Sequence, residues 1–441
     1  MYCFNGYRMR RLITDKLLVW KDCPNRKPLI IRGARQVGKT HSVEAFGAQE
    51  FQNVVKIDFE KLVSARKIFD GDLAPDRLVR LLSASTDQDI VPGKTLLFLD
   101  EIQRCPQALV ALRYFYEDLP GLHVIAAGSL LEFEIEKISF PSGRVESLWM
   151  YPLTFEEFLW ADGSGRLLAA RPDLSTEDAV EPVIHERLME KLRLYFVIGG
   201  MPGVVSAYLQ NESLPEVRRI QETLIFALMQ DMVKYEKRLD NDLVREIFEV
   251  IPRYVGHEVK YTKLASTASH YKIKQVIAAL QKAMLVVAVH SSSAAGLPLG
   301  GNLNRSSFKL CPLDIGLMQS LCGIPAGEVL QAEDLLATYK GSLCEQFIGQ
   351  ELQAAGGSQN HKLYYWSRAA KSSNAEVDYL LVRNGKIIPL EIKHGPAGKL
   401  KSLHLYMAEH PGTEMGVVLN AGNIGRAGNV KFMPLYTRVG R

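Results

Sequence analysis

Short apolar runs alternate with helical segments through the first third of the chain. LIIR (Leu29–Arg32), VVKIDF (Val54–Phe59), TLLFLDE (Thr95–Glu101) and HVIAAGS (His123–Ser129) are continuous rather than alternating, which predicts parallel strands buried on both faces. A helix ending near Pro24, with Leu12, Leu17 and Leu18 on its apolar side, precedes them, and Lys39–Phe46 reads as the helix after the first strand. The pattern predicts an α/β fold. From about Thr154 the period becomes helical. Glu177–Leu239 carries it, broken at GGMPG (Gly199–Gly203).

A smaller unit follows. Helices are expected through Val244–Tyr254, Tyr261–Ser266 and Tyr271–Met284, the last with Ile273, Ile277, Leu280 and Met284 inward. Strands are expected at Leu285–Ser292 and Ser306–Pro312, joined by a Gly/Ser-rich tip. Helix–turn–helix plus a two-stranded wing is the economical reading. A last α/β unit starts near Gln331. There are no internal repeats.

Composition narrows this picture. With 441 residues the chain is too long for one ordinary core, and with 47% hydrophobic and 23% charged residues it can bury several. The net charge of +4 is mild, but residues 331–441 hold thirteen Lys/Arg against nine Asp/Glu and so carry the whole excess. The six cysteines (Cys3, Cys23, Cys105, Cys311, Cys322, Cys344) form no C-x-x-C pair, so neither a zinc site nor a disulfide framework is expected. Arg8, Arg10 and Arg11 lead into a mixed stretch rather than a signal-peptide core. The uncharged stretches Leu194–Asn211 and Ala283–Asn304 are interrupted by Gly, Pro, Ser and Asn, so a soluble, cytoplasmic protein without membrane contact is expected.

GARQVGKT (Gly33–Thr40) fits G-x-x-x-x-G-K-[ST] and lies between a strand and a helix. Gly33 and Gly38 let backbone N–H groups turn around phosphate oxygens, and the helix start adds its positive dipole end. Lys39 then reaches the β and γ phosphates of ATP, and the Thr40 hydroxyl ligates Mg²⁺. Asp100 and Glu101 end a buried strand, the place where carboxylates face the ligand crevice. Asp100 would hold the Mg²⁺ water shell, and Glu101 would polarise the attacking water. Ser129 ends the next strand as either a γ-phosphate sensor or a helix cap. Arg144, in PSGRV, is either a phosphate contact in cis or in a neighbouring subunit, or a solvated loop arginine.

A second constellation lies in NAEVDYLLVRNGKIIPLEIKH (residues 374–394). Two strand-like runs flank Arg383–Asn384–Gly385–Lys386, a hairpin signal. Asp378 and Glu391 could hold a hard divalent ion, Mg²⁺ or Mn²⁺, through oxygen, while Lys393 steadies water or developing charge. An ordinary solvated hairpin is the plain alternative. Upstream, Glu345 sits among Leu343, Phe347, Ile348 and Leu352 on a largely apolar helix, where its charge needs a partner. That partner is a metal or a lysine on the adjacent sheet, with a structural salt bridge to Lys393 as the plain alternative.

With these residues in hand the chain resembles a family of bacterial and archaeal AAA-type ATPases that carry a C-terminal domain of unknown function. RGARQVGKT, FLDEIQRCP, AAGS, SGRVESLWMYPLTFEEFL, GGMPGVV, LDIGLM and YYWSR…AEVDYLL…IIPLEIKH carry the resemblance over nearly the whole chain. It implies a P-loop ATPase core (1–160), a helical lid (161–240), a winged helix (241–330) and a terminal domain similar to PD-(D/E)XK nucleases (331–441). It carries over Lys39, Thr40, Asp100 and Glu101 as nucleotide residues, and Glu345, Asp378, Glu391 and Lys393 as nuclease-like residues. His41 departs from the Ser or Thr common after GKT. The implied function is an ATPase acting on DNA, with a metal-dependent nuclease domain. The alternatives are a regulatory ATPase whose C-terminal domain binds DNA or protein without cleavage, and a remodeller of a protein partner. A homo-oligomer is compatible with each.

Overall fold

The computed structural model describes residues 9–135, 140–235, 239–324, 341–356, 361–368, 374–393 and 400–440. The start of the expected last α/β unit, near Gln331, lies outside them. The chain divides into two compact units, the first essentially the residues up to Pro152, the second beginning at Leu153.

The first unit is built on five strands: β1 (Leu29–Arg32), β2 (Asn53–Asp58), β3 (Thr95–Asp100), β4 (His123–Ala127) and β5 (Glu146–Trp149). They form one parallel sheet in the order β2-β3-β4-β1-β5. Strands β1, β3 and β4 are buried at every position, as their continuous apolar runs require. β5 has no such run. Its side chains are half-buried or exposed, because it is an edge strand paired only to β1. Ile30, Ile57, Leu97, Leu99, Val124 and Ala126 from the sheet pack with Leu109, Leu112 and Phe115 of the helix Pro106–Asp118. Before the sheet comes the helix Ile13–Lys21, which buries Ile13, Leu17 and Trp20.

The second unit opens with helices. Thr154 caps the helix Phe155–Ala161 in a capping box with Glu157. GGMPG separates the helices Pro182–Ile198 and Pro202–Asn211, bent by 118° where Gly199 takes φ 75. No single helix among the described residues is long and apolar enough to cross a membrane.

The remaining strands of this unit are β6 (Val286–Ser292), β7 (Leu303–Pro312), β8 (Leu363–Ser367), β9 (Glu376–Val377), β10 (Tyr379–Arg383), β11 (Lys386–Ile392), β12 (Gly416–Asn420), β13 (Gly425–Ala427) and β14 (Val430–Pro434). One mixed sheet has the order β7-β6-β8-β9, and the other β10-β11-β12-β14-β13. The β6–β7 hairpin thus joins β8 in a shared sheet, so packing continues across residue 330. The helix before it runs His270–Lys282, and Met284 is half-buried with φ 59 beyond the helix end rather than on its inward face. The turn between β10 and β11 places Asn384 at φ 52 and Gly385 at φ 74, the left-handed pair a two-residue hairpin needs. Pro389 stays in the ladder with β10, while pairing with β12 starts only at Leu390.

Candidate functional site

The loop between β1 and the helix Lys39–Glu50 is shaped for close approach. A Cβ on Gly33 would stand 2.3 Å from the Met150 carbonyl oxygen. Gln36 (φ 65) and Gly38 (φ 94) take left-handed conformations, which turn successive N–H groups toward one centre. Arg11 braces the loop from outside the motif. Buried, it donates to the carbonyls of Val37 (2.8 Å) and Tyr151 (2.7 Å).

Lys39 is 8% exposed and donates to the carbonyls of Gly33 (2.9 Å) and Ala34 (2.8 Å). Burial pulls its pKa down to about 8 against the opposing pull of Glu101 and Asp100, and Arg35 adds to the fall. The Thr40 hydroxyl donates to Asp100, 3.0 Å from Oδ2 and 3.2 Å from Oδ1. Asp100 is also 3.1 Å from the Lys56 ammonium, which in turn meets Glu44 at 2.8 Å. Thr40 and Asp100 therefore stand where one Mg²⁺ with its water shell could touch both.

Glu101 follows β3 with φ 51, a left-handed conformation rarely held by a residue with a Cβ and costing about 1–3 kcal/mol. Gln103 donates to the Glu101 carboxylate at 2.5 Å. Burial raises the Glu101 pKa, and the Gln103 hydrogen bond opposes the rise. Gln103 is itself 5% exposed, and its Oε1 has no hydrogen-bond partner among the described residues. That oxygen would stand 2.3 Å from a Cβ on Gly128, so the amide oxygen abuts the backbone just past the end of β4.

Strand order explains why these residues meet. β4 lies between β1, which feeds the loop, and β3, which carries Asp100. Ser129, 5% exposed, emerges from the end of β4 between the two. Arg144 instead lies on the surface, with its Nε donating to Glu117 at 2.7 Å.

In the second unit the helix Ser342–Gly356 supplies Glu345, and β9 to β11 supply the rest. Asp378 is the single residue between β9 and β10, where the chain leaves one sheet for the other. Its Oδ2 accepts from the Ile392 backbone N–H at 2.7 Å. Glu391 is 4% exposed, and its Oε1 is 2.5 Å from Lys393 Nζ. Burial first, then the neighbouring carboxylate Glu345, lifts Asp378 to about 7. Burial and Asp378 lift Glu391 to about 7. Glu345 is raised by burial, against Lys309.

The ion pair Glu345 makes is to a lysine on a sheet strand, Lys309 rather than Lys393. Lys309 of β7 lies 3.5 Å from Glu345 Oε2 and is ion-paired to Glu376. Sequence reasoning missed it because Lys309 sits alone in the run SSFKLCP, which reads as part of the preceding wing rather than of the unit that holds Glu345. Among the described residues no group of three or more His, Cys, Asp or Glu side chains is placed to hold a metal ion. The same helix carries Glu351, paired to the buried Arg171 at 3.1 Å and accepting from the Phe155 N–H at 2.8 Å.

Residues 25–159 match the family model of an AAA domain. Residues 189–328 and 340–437 match two models described only as domains of unknown function, DUF8612 and DUF4143. No curated protein matches the chain. Among solved structures the chain is similar to the Walker-type ATPase of Pyrococcus abyssi, at 15% identity and TM-score 0.44 over 71% of this chain and 96% of that one. It is also similar to the Aeropyrum pernix Orc1 protein in complex with DNA, at 12% identity and TM-score 0.31 over 76% and 95% of the two chains. AMPPCP-bound DnaA from Aquifex aeolicus matches at 15% identity and TM-score 0.29 over 64% and 93%. At such identities and scores nothing about function passes from those proteins to this one. The family match and the structure agree in place: residues 25–159 match an AAA domain and contain the parallel sheet with the loop between β1 and the helix Lys39–Glu50.

Proposed function

We propose that this chain binds ATP with Mg²⁺ at the β1 loop, hydrolyses it, and uses the cycle to act on DNA. The observation that carries the ATPase part is the contact of Thr40 with Asp100, made beside a loop whose lysine is buried. Gly33 and Gly38 allow the backbone to wrap phosphate, and Lys39 binds the β and γ phosphates. Thr40 and Asp100 would hold Mg²⁺, which would supply charge neutralisation on the phosphates. Glu101 accepts the proton of the attacking water, and Gln103 holds its carboxylate in place. Ser129 reads the γ-phosphate from the end of β4. Arg144 acts as a phosphate contact, supplied in cis or by a neighbouring subunit, after leaving Glu117.

DNA contact is assigned to the helix His270–Lys282, read as the recognition helix of a winged unit spanning 241–330, with a helical lid over 161–240. The helix buries Ile273, Val276, Ile277 and Leu280 and exposes Lys272, Lys274 and Gln275, while Gln281 is half-buried. Tyr271 is 70% exposed beside them, its hydroxyl accepting from Gln275 at 3.2 Å. Exposed cations and an amide outside the buried stripe of this helix suit phosphate and base edges. Residues 331–441 are read as the nuclease-like domain. Lys309 favours the reading in which that domain engages DNA or a protein without cutting, because an ammonium already pairs with Glu345. The protein is placed in the cytoplasm.

The test is turnover. Glu101→Gln is expected to keep ATP binding and to lose hydrolysis by about a hundredfold or more, as removal of a general base does. A variant that turns over like wild type would refute the role of Glu101.

A further inference from the structure

We propose that Lys309 is the resident cation of the C-terminal carboxylate cluster: its ammonium takes the place of a divalent ion and keeps one out. The inference rests on the nuclease-like reading of the C-terminal residues.

The cluster brings four carboxylates, Glu345, Glu376, Asp378 and Glu391, together with two ammoniums, Lys309 and Lys393. The two cations differ. Lys393 is half-buried and pairs with Glu391 at the edge of the group. Lys309 is 3% exposed, projects from the middle of β7, and pairs with Glu345 and Glu376, which come from a helix and from another strand. It is the charge on which separate elements converge, a role otherwise filled by a metal.

The surroundings hold Lys309 by charge and by a ring face rather than by a set of well-directed hydrogen bonds. The Tyr365 ring centroid is 4.9 Å from Lys309 Nζ, so a π-face covers the cation. The Tyr365 hydroxyl is fixed 2.8 Å from Ser307 Oγ. On the other side, a Cβ on Gly256 would stand 2.9 Å from both Glu345 carboxylate oxygens, so backbone closes over that carboxylate.

The same arrangement opposes a metal. A hard divalent ion needs several oxygens at roughly 2.0–2.6 Å. To reach Glu345 it must approach a fixed ammonium 3.5 Å from that carboxylate. Yet the acids retain spare capacity. Glu391 Oε2 has no hydrogen-bond partner among the described residues, although Glu391 is 4% exposed. As they stand, no three of these acids are placed to hold a metal; removing the Lys309 charge frees Glu345 and Glu376 from their ion pairs, so the acids should regroup around a divalent ion.

The experiment titrates Mn²⁺ into the nucleotide-free full-length chain and follows free Mn²⁺ by electron paramagnetic resonance. Wild type is expected to show no site that depends on Asp378. Lys309→Met should gain one such site, lost again when Asp378→Asn is added. Should Lys309→Met fail to fold, Lys309→Met/Glu376→Gln removes one opposing charge with the cation, and the same gain is expected. Wild-type binding of Mn²⁺ that disappears in Asp378→Asn would overturn the inference. A folded Lys309 variant that gains no site would overturn it too. No DNA enters the measurement, so failure of the DNA reading shows separately, as absence of DNA binding.

Discussion

Replacing Gln103 by methionine keeps an unbranched side chain of similar length against Gly128 while deleting the amide. The amide donates to the Glu101 carboxylate at 2.5 Å in a place where Gln103 is 5% exposed. A hydrogen bond to a charged group is worth about 1.5–3 kcal/mol. If Glu101 must be held by that bond to take a proton from water, kcat falls by about ten- to a hundredfold, since 1.36 kcal/mol is a factor of ten. Affinity for ATP should stay near wild type, because Gln103 lies beyond the residues assigned to the phosphates. The pH profile gives a second readout. Burial raises the Glu101 pKa, and Gln103 is the strongest opposing influence. Its loss lets the pKa rise further, so more of the base is protonated at a given pH. The acid limb of kcat against pH therefore moves to higher pH in Gln103→Met. Steady-state hydrolysis measured from the acid side to neutral pH reads both effects. An unchanged kcat with an unmoved acid limb would refute the positioning role.

Arg144→Ala should lower hydrolysis much more than nucleotide affinity, as loss of an arginine finger does, and unchanged turnover would leave Arg144 as the surface partner of Glu117. Lys272→Glu combined with Lys274→Glu should weaken duplex DNA binding and flatten its salt dependence, because both ammoniums are exposed on that helix. A double variant with wild-type affinity and salt slope would remove that helix from the interface.

Much of the fold was legible because burial left its mark on the sequence. β1, β3 and β4 are continuous apolar runs and are wholly buried, and Asn384–Gly385 predicts the turn found there. β5 was not legible, since an edge strand with exposed and half-buried side chains has no such run. Nor does local pattern reveal that β6 pairs in parallel with β8 across residue 330, as pairing between distant strands leaves no periodic signal. The nucleotide residues are contiguous in short motifs. Their neighbours Arg11 and Lys56 reach the site through strand order and loop path, which no motif encodes, whereas Gln103 lies two residues after Glu101 within FLDEIQRCP. Lys309 is the sharpest case. The apolar helix around Glu345 correctly signals that the carboxylate needs a partner, but the partner comes from a strand that reads as part of the preceding wing.

The most direct measurement is calorimetric titration of Mg-ATP into the full-length protein and into Lys39→Ala. Lys39 lies in the loop with its ammonium buried against the Gly33 and Ala34 carbonyls, poised for phosphate. Wild type should show one saturable site, and Lys39→Ala should lose it or bind far more weakly. No heat of binding in wild type with Mg²⁺ present, or equal affinity in the two proteins, would contradict the assignment of this loop as the ATP site.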